Sequence, residues 1–189
     1  MSFRKYTKAI VIVHGKSELD FVKHIKSKLR LPLEIYSRSN GKTSIQISSI
    51  NDILKNRDFK TKKCFKEKFF KVECDKKGNP KNVKIFIIMD IDDTSQEKID
   101  SYKSSTLFVK DWKKDFIVPI WNDSNFEEVL NDIGYWYAKN DKEKRHYKKL
   151  FPVERGEQDV ETIKELRDKL ISSNKSNLDE FLTFCIESS

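Results

Sequence analysis

Asp90, Asp92 and Asp93 crowd three carboxylates into four positions, directly behind the apolar run Ile85-Phe86-Ile87-Ile88-Met89. A run that bulky and that continuous reads as a strand buried on both faces. Open α/β sheets place their ligand sites beyond the carboxyl ends of the strands. Hard oxygen ligands gathered there suit Mg²⁺ or Mn²⁺. An acidic turn, or an N-cap for a following helix, would use the same residue type. Two further strand ends carry polar groups. His14-Gly15-Lys16-Ser17-Glu18 follows the β-branched run Ala9–Val13, and Asn122-Asp123 with Glu127 and Glu128 follows Phe116–Trp121. Carboxylate-bearing ends on one sheet edge are what a metal-dependent phosphodiester enzyme needs, because the ion polarises the phosphate and generates hydroxide. Lys16 adds a point charge for a phosphate oxygen.

The elements that must position these groups alternate. A strand over residues 9–13 is followed by a helix with Leu19, Phe21, Val22, Ile25 and Leu29 on one stripe, capped by Ser17. A short strand, Leu33–Tyr36, completes a βαβ start. A helix using Ile45, Ile50, Ile53 and Leu54 comes next. After the Asp90 strand, Thr94 caps a helix through Lys103. Pro119 puts the strand at 116–121 near a sheet edge. The cluster Asn122–Asn125 caps a short helix ending near Gly134. Then the alternation fades into helices over 139–150, 158–171 and 178–186. The fold class expected is α/β, a mostly parallel sheet flanked by helices. Residues 1–135 form the α/β part and residues 136–189 a helical C-terminal cap on the same core.

The formal net charge is +8, which favours a polyanionic partner, most simply nucleic acid. Between Lys55 and Lys84 stand twelve Lys/Arg, with Phe59, Phe65, Phe69 and Phe70 interleaved. Cations with rings are the footprint of a single-strand or RNA surface. The plainer reading, which we favour for the rings, has the phenylalanines packed inward beneath solvated lysines. Trp112, Trp121 and Trp136 read as packing anchors, and His24 and His146 as solvated. Cys64, Cys74 and Cys185 form neither a disulfide framework nor a zinc pattern, and free thiols suit a reducing cytoplasm. The charged N-terminal residues lead into only five apolar positions, unlike a signal peptide, and no stretch approaches the ~20 apolar residues of a membrane span.

The order of these motifs resembles the Toprim domain, in which one apolar strand ends in Glu-Gly and a later one in Asp-x-Asp. Val11-Ile12-Val13-His14-Gly15-Lys16-Ser17-Glu18 resembles the first motif and Ile87-Ile88-Met89-Asp90-Ile91-Asp92 the second. Ser124-Asn125-Phe126-Glu127 resembles the Asn-Pro-x-Phe-Glu motif of the RloB-like and OLD-type, abortive-infection branch, without its proline. The basic stretch Lys144–Pro152 fits that branch too. The resemblance implies a Toprim-type nuclease acting in anti-phage defence. Its Mg²⁺ or Mn²⁺ would be held by Asp90 and Asp92 with Glu18. His14, Asp90, Asp92 and Glu127 would be the catalytic set, and Gly15 and Lys16 would bind the phosphate group. The implied partners are nucleic acid (DNA or RNA, tRNA included), a separate ATPase chain, since no Walker A motif occurs here, and a second copy in a homodimer.

His14 stands where the family has glutamate. An imidazole does acid/base chemistry near neutral pH, and it ligates Mn²⁺ better than Mg²⁺. The same change fits a silenced Toprim-fold module that binds nucleic acid or a partner ATPase. A phosphotransfer domain using the Asp90 cluster is a further rival, without a matching Lys and Thr.

Overall fold

The computed structural model describes residues 6–92, 94–135, 150–153 and 158–189. Asp93, Trp136, His146 and all but Leu150 of the helix expected over 139–150 lie outside them. Four strands, β1 (Ala9–Val13), β2 (Leu33–Tyr36), β3 (Lys84–Asp90) and β4 (Ile117–Asn122), form one sheet in the order β2-β1-β3-β4. Every pairing is parallel, so the sheet is all-parallel rather than mostly so. Parallel neighbours need crossovers, and the crossovers carry the helices. They are α1 (Lys16–Leu29), α2 (Ile50–Leu54), α3 (Lys62–Lys68), α4 (Gln96–Lys103) and α5 (Phe126–Asp132), followed by the C-terminal pair α6 (Val160–Ile171) and α7 (Leu178–Glu187).

All five residues of β1 are fully buried because helices cover both faces of the sheet. The pleat sends Val11, Val13, Phe86, Ile88 and Ile120 to one side, where α1, α5, α6 and α7 pack. Ile10, Ile12, Ile85, Ile87 and Met89 go to the other side, against α2, α3, α4 and the turn at Phe108. The C-terminal helices thus share a core with β1 and α1 through Leu166, Leu170, Phe181 and Leu182. Each such side chain removed from water is worth about 1.5–3 kcal/mol.

β4 is an edge strand, as its proline requires. Pro119 shares its alternation with Trp121, whose N–H points outward to Asn177 Oδ1 at 2.9 Å. The missing N–H of Pro119 therefore costs the ladder nothing. The segment before α7 covers this edge. Asn177 Nδ2 donates to Pro119 O, and the Asp123 N–H donates to Lys175 O. Edges shielded in this way do not recruit other strands.

Several local expectations change. α1 is capped by Gly15, not Ser17, and α4 begins at Gln96 behind Ser95 rather than at Thr94. The helix expected around Ile45–Leu54 divides into a 3₁₀ turn (Ile47–Ser49) and α2. His24 is not solvated: it is 5% exposed, with Nδ1 2.7 Å from Pro152 O and its ring against Phe151. Phe59, Phe65 and Phe69 pack inward on one another as expected, whereas Phe70 is 75% exposed. Trp112 anchors packing against Phe65 and Phe116, and Trp121 lies under Lys103 Nζ at 3.7 Å.

Candidate functional site

The strand order reverses between β1 and β3. The chain runs from β1 outward to β2, then returns to the far side of β1 for β3 and β4. At such a switch point the loops leaving the two central strands part, and a crevice opens at their carboxyl ends. His14 and Asp90 are the residues at those two ends. The His14 N–H donates to Ile88 O at 2.9 Å, which extends the β1–β3 ladder by one residue. His14 Nε2 then lies 3.8 Å from Asp90 Oδ2. The buried His14 Nδ1 has no hydrogen-bond partner among the described residues.

Asp90 ends β3 in register with Asn122, the end of β4. Asn122 is fully buried and donates Nδ2–H to Asp90 Oδ1 at 3.0 Å, while its own Oδ1 accepts from Ser176 Oγ at 3.0 Å. The tail before α7 thus holds Asn122, and Asn122 holds Asp90.

Two glutamates approach from helix starts. Glu18, 2% exposed, turns back so that Oε2 accepts the Gly15 N–H at 2.9 Å. That bond satisfies the cap of α1 and keeps a carboxylate in the first turn, where the helix dipole favours it. α5 starts at Asn125, whose Oδ1 accepts the Glu128 N–H at 3.0 Å, so the expected capping cluster acts through Asn125. This start presents Glu127, and Ser17 Oγ donates to Glu127 Oε1 at 2.8 Å. The hydroxyl expected to cap α1 instead ties α1 to α5.

The electrostatic consequence falls on Asp90, 6% exposed. Its carboxyl is pushed up from 3.8 to about 8. Burial is the main cause and the Glu18 charge the next. His14 and the Asn122 hydrogen bond pull the other way, and Glu127 raises it further. At neutral pH this carboxyl holds a proton, because burial penalises its charged form and the neighbouring Glu18 adds to the penalty.

A loop closes the crevice on the β2 side. Ser39, Asn40 and Gly41 all have positive φ (46°, 55° and 79°), and the Ile45 N–H donates to His14 O at 2.8 Å. At Gly41 a Cβ would stand 2.9 Å from Lys16 Cα, so the close approach to α1 requires glycine.

Of the residues singled out from the sequence, His14, Glu18, Asp90 and Glu127 come together. Gly15 lies among them, with its N–H already used by Glu18. Lys16 turns away, its Nζ 2.7 Å from Asp20 Oδ1. Asp92 is exposed in the bend after β3. Among the described residues, no three His, Cys, Asp or Glu side chains are grouped as a ready cage for a metal ion. Sequence reasoning missed the Ser17 link and the Ser176–Asn122–Asp90 chain. Asn122 is legible in the sequence as a polar strand end, but nothing local marks Ser176. No helix of the described residues is long and apolar enough to cross a membrane. No family model, no curated protein and no solved structure matches the chain.

Proposed function

We propose that the chain is a Mg²⁺- or Mn²⁺-dependent phosphodiester hydrolase acting on nucleic acid, with its reacting centre at the crevice between β1 and β3. One observation carries this reading: at the switch point of a parallel sheet the buried Asp90 carboxyl, pushed up to about 8, stands 3.8 Å from the His14 imidazole and feels the charges of Glu18 and Glu127. Neighbouring carboxylates raise one another's pKa, and a dication relieves that repulsion. Asp90, Glu18 and Glu127 are the oxygen donors that would hold it. Their present partners are Asn122, Gly15 and Ser17, so binding an ion requires the two glutamates to turn inward. The bound ion would supply charge neutralisation at the phosphate and a water of lowered pKa.

The chain's own residues do the remaining work. His14 Nε2, beside Asp90 and only partly exposed, is placed to take or give a proton at the attacking or leaving oxygen. Asn122 holds the Asp90 carboxyl in one orientation, and Ser17 holds Glu127 at the head of α5. The setting in phage defence, beside a separate ATPase, is supported by the motif order alone.

Cleavage of labelled single-stranded DNA, duplex DNA and tRNA with Mn²⁺ or Mg²⁺ tests the reading. Asp90→Asn, which preserves shape and can still accept from Asn122, is expected to lower the rate by about 100-fold or more. A rate that survives this substitution overturns the assignment. A silenced binding module is the second reading, favoured by the lack of a ready cage among the described residues. It predicts no cleavage by the native chain, and activity gained with His14→Glu.

A further inference from the structure

The chain's surplus of positive charge is not spread over its surface. Residues 55–84 hold twelve Lys/Arg against Asp58, Glu67, Glu73 and Asp75, a net charge of +8. That equals the net charge of the whole chain, and the other 159 residues carry 26 charges of each sign. A general lysine bias would have raised the balance everywhere. Twelve cations concentrated in one crossover mark a surface for a polyanion.

A second observation comes from the rings. Among the described residues only two aromatic side chains are exposed, Tyr6 at 44% and Phe70 at 75%. The fold brings them together. The Thr7 N–H donates to Lys71 O at 2.9 Å, so Tyr6 and Phe70 flank one hydrogen bond where the crossover meets the start of β1. Lys71 Nζ lies 5.8 Å from the Phe70 ring. Lys8 is exposed next in the chain, and Lys81 sits close by, paired with Glu73 at 2.8 Å. Phe59, Phe65 and Phe69 anchor the segment from beneath, which holds Phe70 outward in a fixed place.

We infer that this end of the molecule binds single-stranded nucleic acid, with Tyr6 and Phe70 stacking on unpaired bases and Lys8 and Lys71 holding phosphates. Rings fixed among cations are the arrangement that single-strand binding uses. Lipid is the weaker match, because an interfacial segment inserts a continuous apolar face, and here the neighbouring phenylalanines are buried. The surface is remote from the acidic crevice. It lies at the amino end of β1, and the seven residue steps from Thr7 to His14 span roughly 23 Å of extended chain. It does not depend on hydrolysis at His14 and Asp90.

The test is fluorescence anisotropy of labelled oligo-dT with the full chain in EDTA, so that binding is read without cleavage. The oligonucleotide is expected to bind, more weakly as salt rises. Tyr6→Ala/Phe70→Ala is expected to weaken binding about 10-fold or more, and Tyr6→Trp/Phe70→Trp to restore it. Lys8→Glu/Lys71→Glu is expected to flatten the salt dependence by a slope of at least about 1.4. These side chains are exposed, and an unchanged melting curve confirms that each variant is folded. Loss of less than about twofold in the alanine variant overturns the inference. So does duplex DNA binding as tightly as oligo-dT, or binding to phosphatidylserine vesicles without binding to oligo-dT.

Discussion

Asp90→Asn should make the metal-free protein more stable, and by an amount that grows with pH. In the folded chain the Asp90 carboxyl is pushed from 3.8 up to about 8 by burial and by Glu18 and Glu127. The folded state therefore holds a proton that the unfolded chain releases above about pH 4. Where the folded state binds the extra proton, stability falls as pH rises. The contribution is fully present below about pH 4, drains away at about 1.4 kcal/mol per pH unit, and is gone above about pH 8. Across the whole window the shift corresponds to on the order of 5 kcal/mol, and from pH 5 to pH 8 to about 4 kcal/mol.

An asparagine cannot titrate, so it removes this slope. Urea unfolding of both proteins from pH 5 to pH 9 in EDTA reads the difference directly. With a slope of about 2–3 kcal/mol per molar urea, the two midpoints should diverge by roughly 1.5 M between pH 5 and pH 8, then run parallel. Midpoints separated by a constant amount across that range would refute the reasoning, because they would mean that Asp90 titrates alike in the folded and unfolded chains.

Three other outcomes follow from particular contacts. Gly41→Ala should cost about 1–3 kcal/mol by urea unfolding, since its Cβ would meet Lys16 Cα at 2.9 Å and its φ is +79°. Lys113→Met should cost about 2–3 kcal/mol in the same assay. Lys113 Nζ is buried against Leu54 O, Phe59 O and Asp111 Oδ1, and the substitution removes the counter-charge of Asp111 and strands the Leu54 carbonyl, while Asp111 keeps the backbone N–H of residue 113 and Phe59 O keeps the Trp112 indole N–H. Mn²⁺ should raise the melting temperature more at pH 8.5 than at pH 6.5, and the gain should vanish in Asp90→Asn. An equal gain at both pH values would place the ion elsewhere.

The parallel strands were legible because helices on both faces leave no polar side to interrupt them. Ala9–Val13 and Ile85–Met89 are apolar without a break for that reason. Pro119 announced an edge strand by its missing donor, and Asn125 announced the start of α5. What stayed illegible depends on elements far apart in the chain. The pattern of α1 says which side chains share a face but not what covers them. Phe151 and Pro152 cover His24, so a charged neighbourhood concealed a buried ring. Phe70 shares its segment with three buried phenylalanines, and only the turn after α3 separates its direction from theirs. At the crevice, strand ends gave His14 and Asp90. Glu18 lay one turn into α1, and only the backward reach of its side chain to Gly15 brings it in. Asp92, two residues beyond Asp90, would share its face if the strand continued, but the chain bends there and leaves it in solvent.

Histidine at the end of β1 has an electrostatic logic. A glutamate in its place would add a fourth carboxylate beside Asp90, Glu18 and Glu127, where burial and the two glutamates already keep a proton on Asp90 to about pH 8. His14 acts in the opposite direction and draws the Asp90 pKa down. The metal-free crevice is therefore tolerable for two reasons, the imidazole at 3.8 Å and the proton on Asp90. Only the second must be given up when a cation arrives, because a carboxyl must lose its proton to ligate. Ion and proton thus compete for Asp90, and below about pH 8 each ion bound should release about one proton. A crevice built this way is a weak site in acid and a stronger one as pH rises. The residue that breaks the expected motif lessens the cost of holding the carboxylates together.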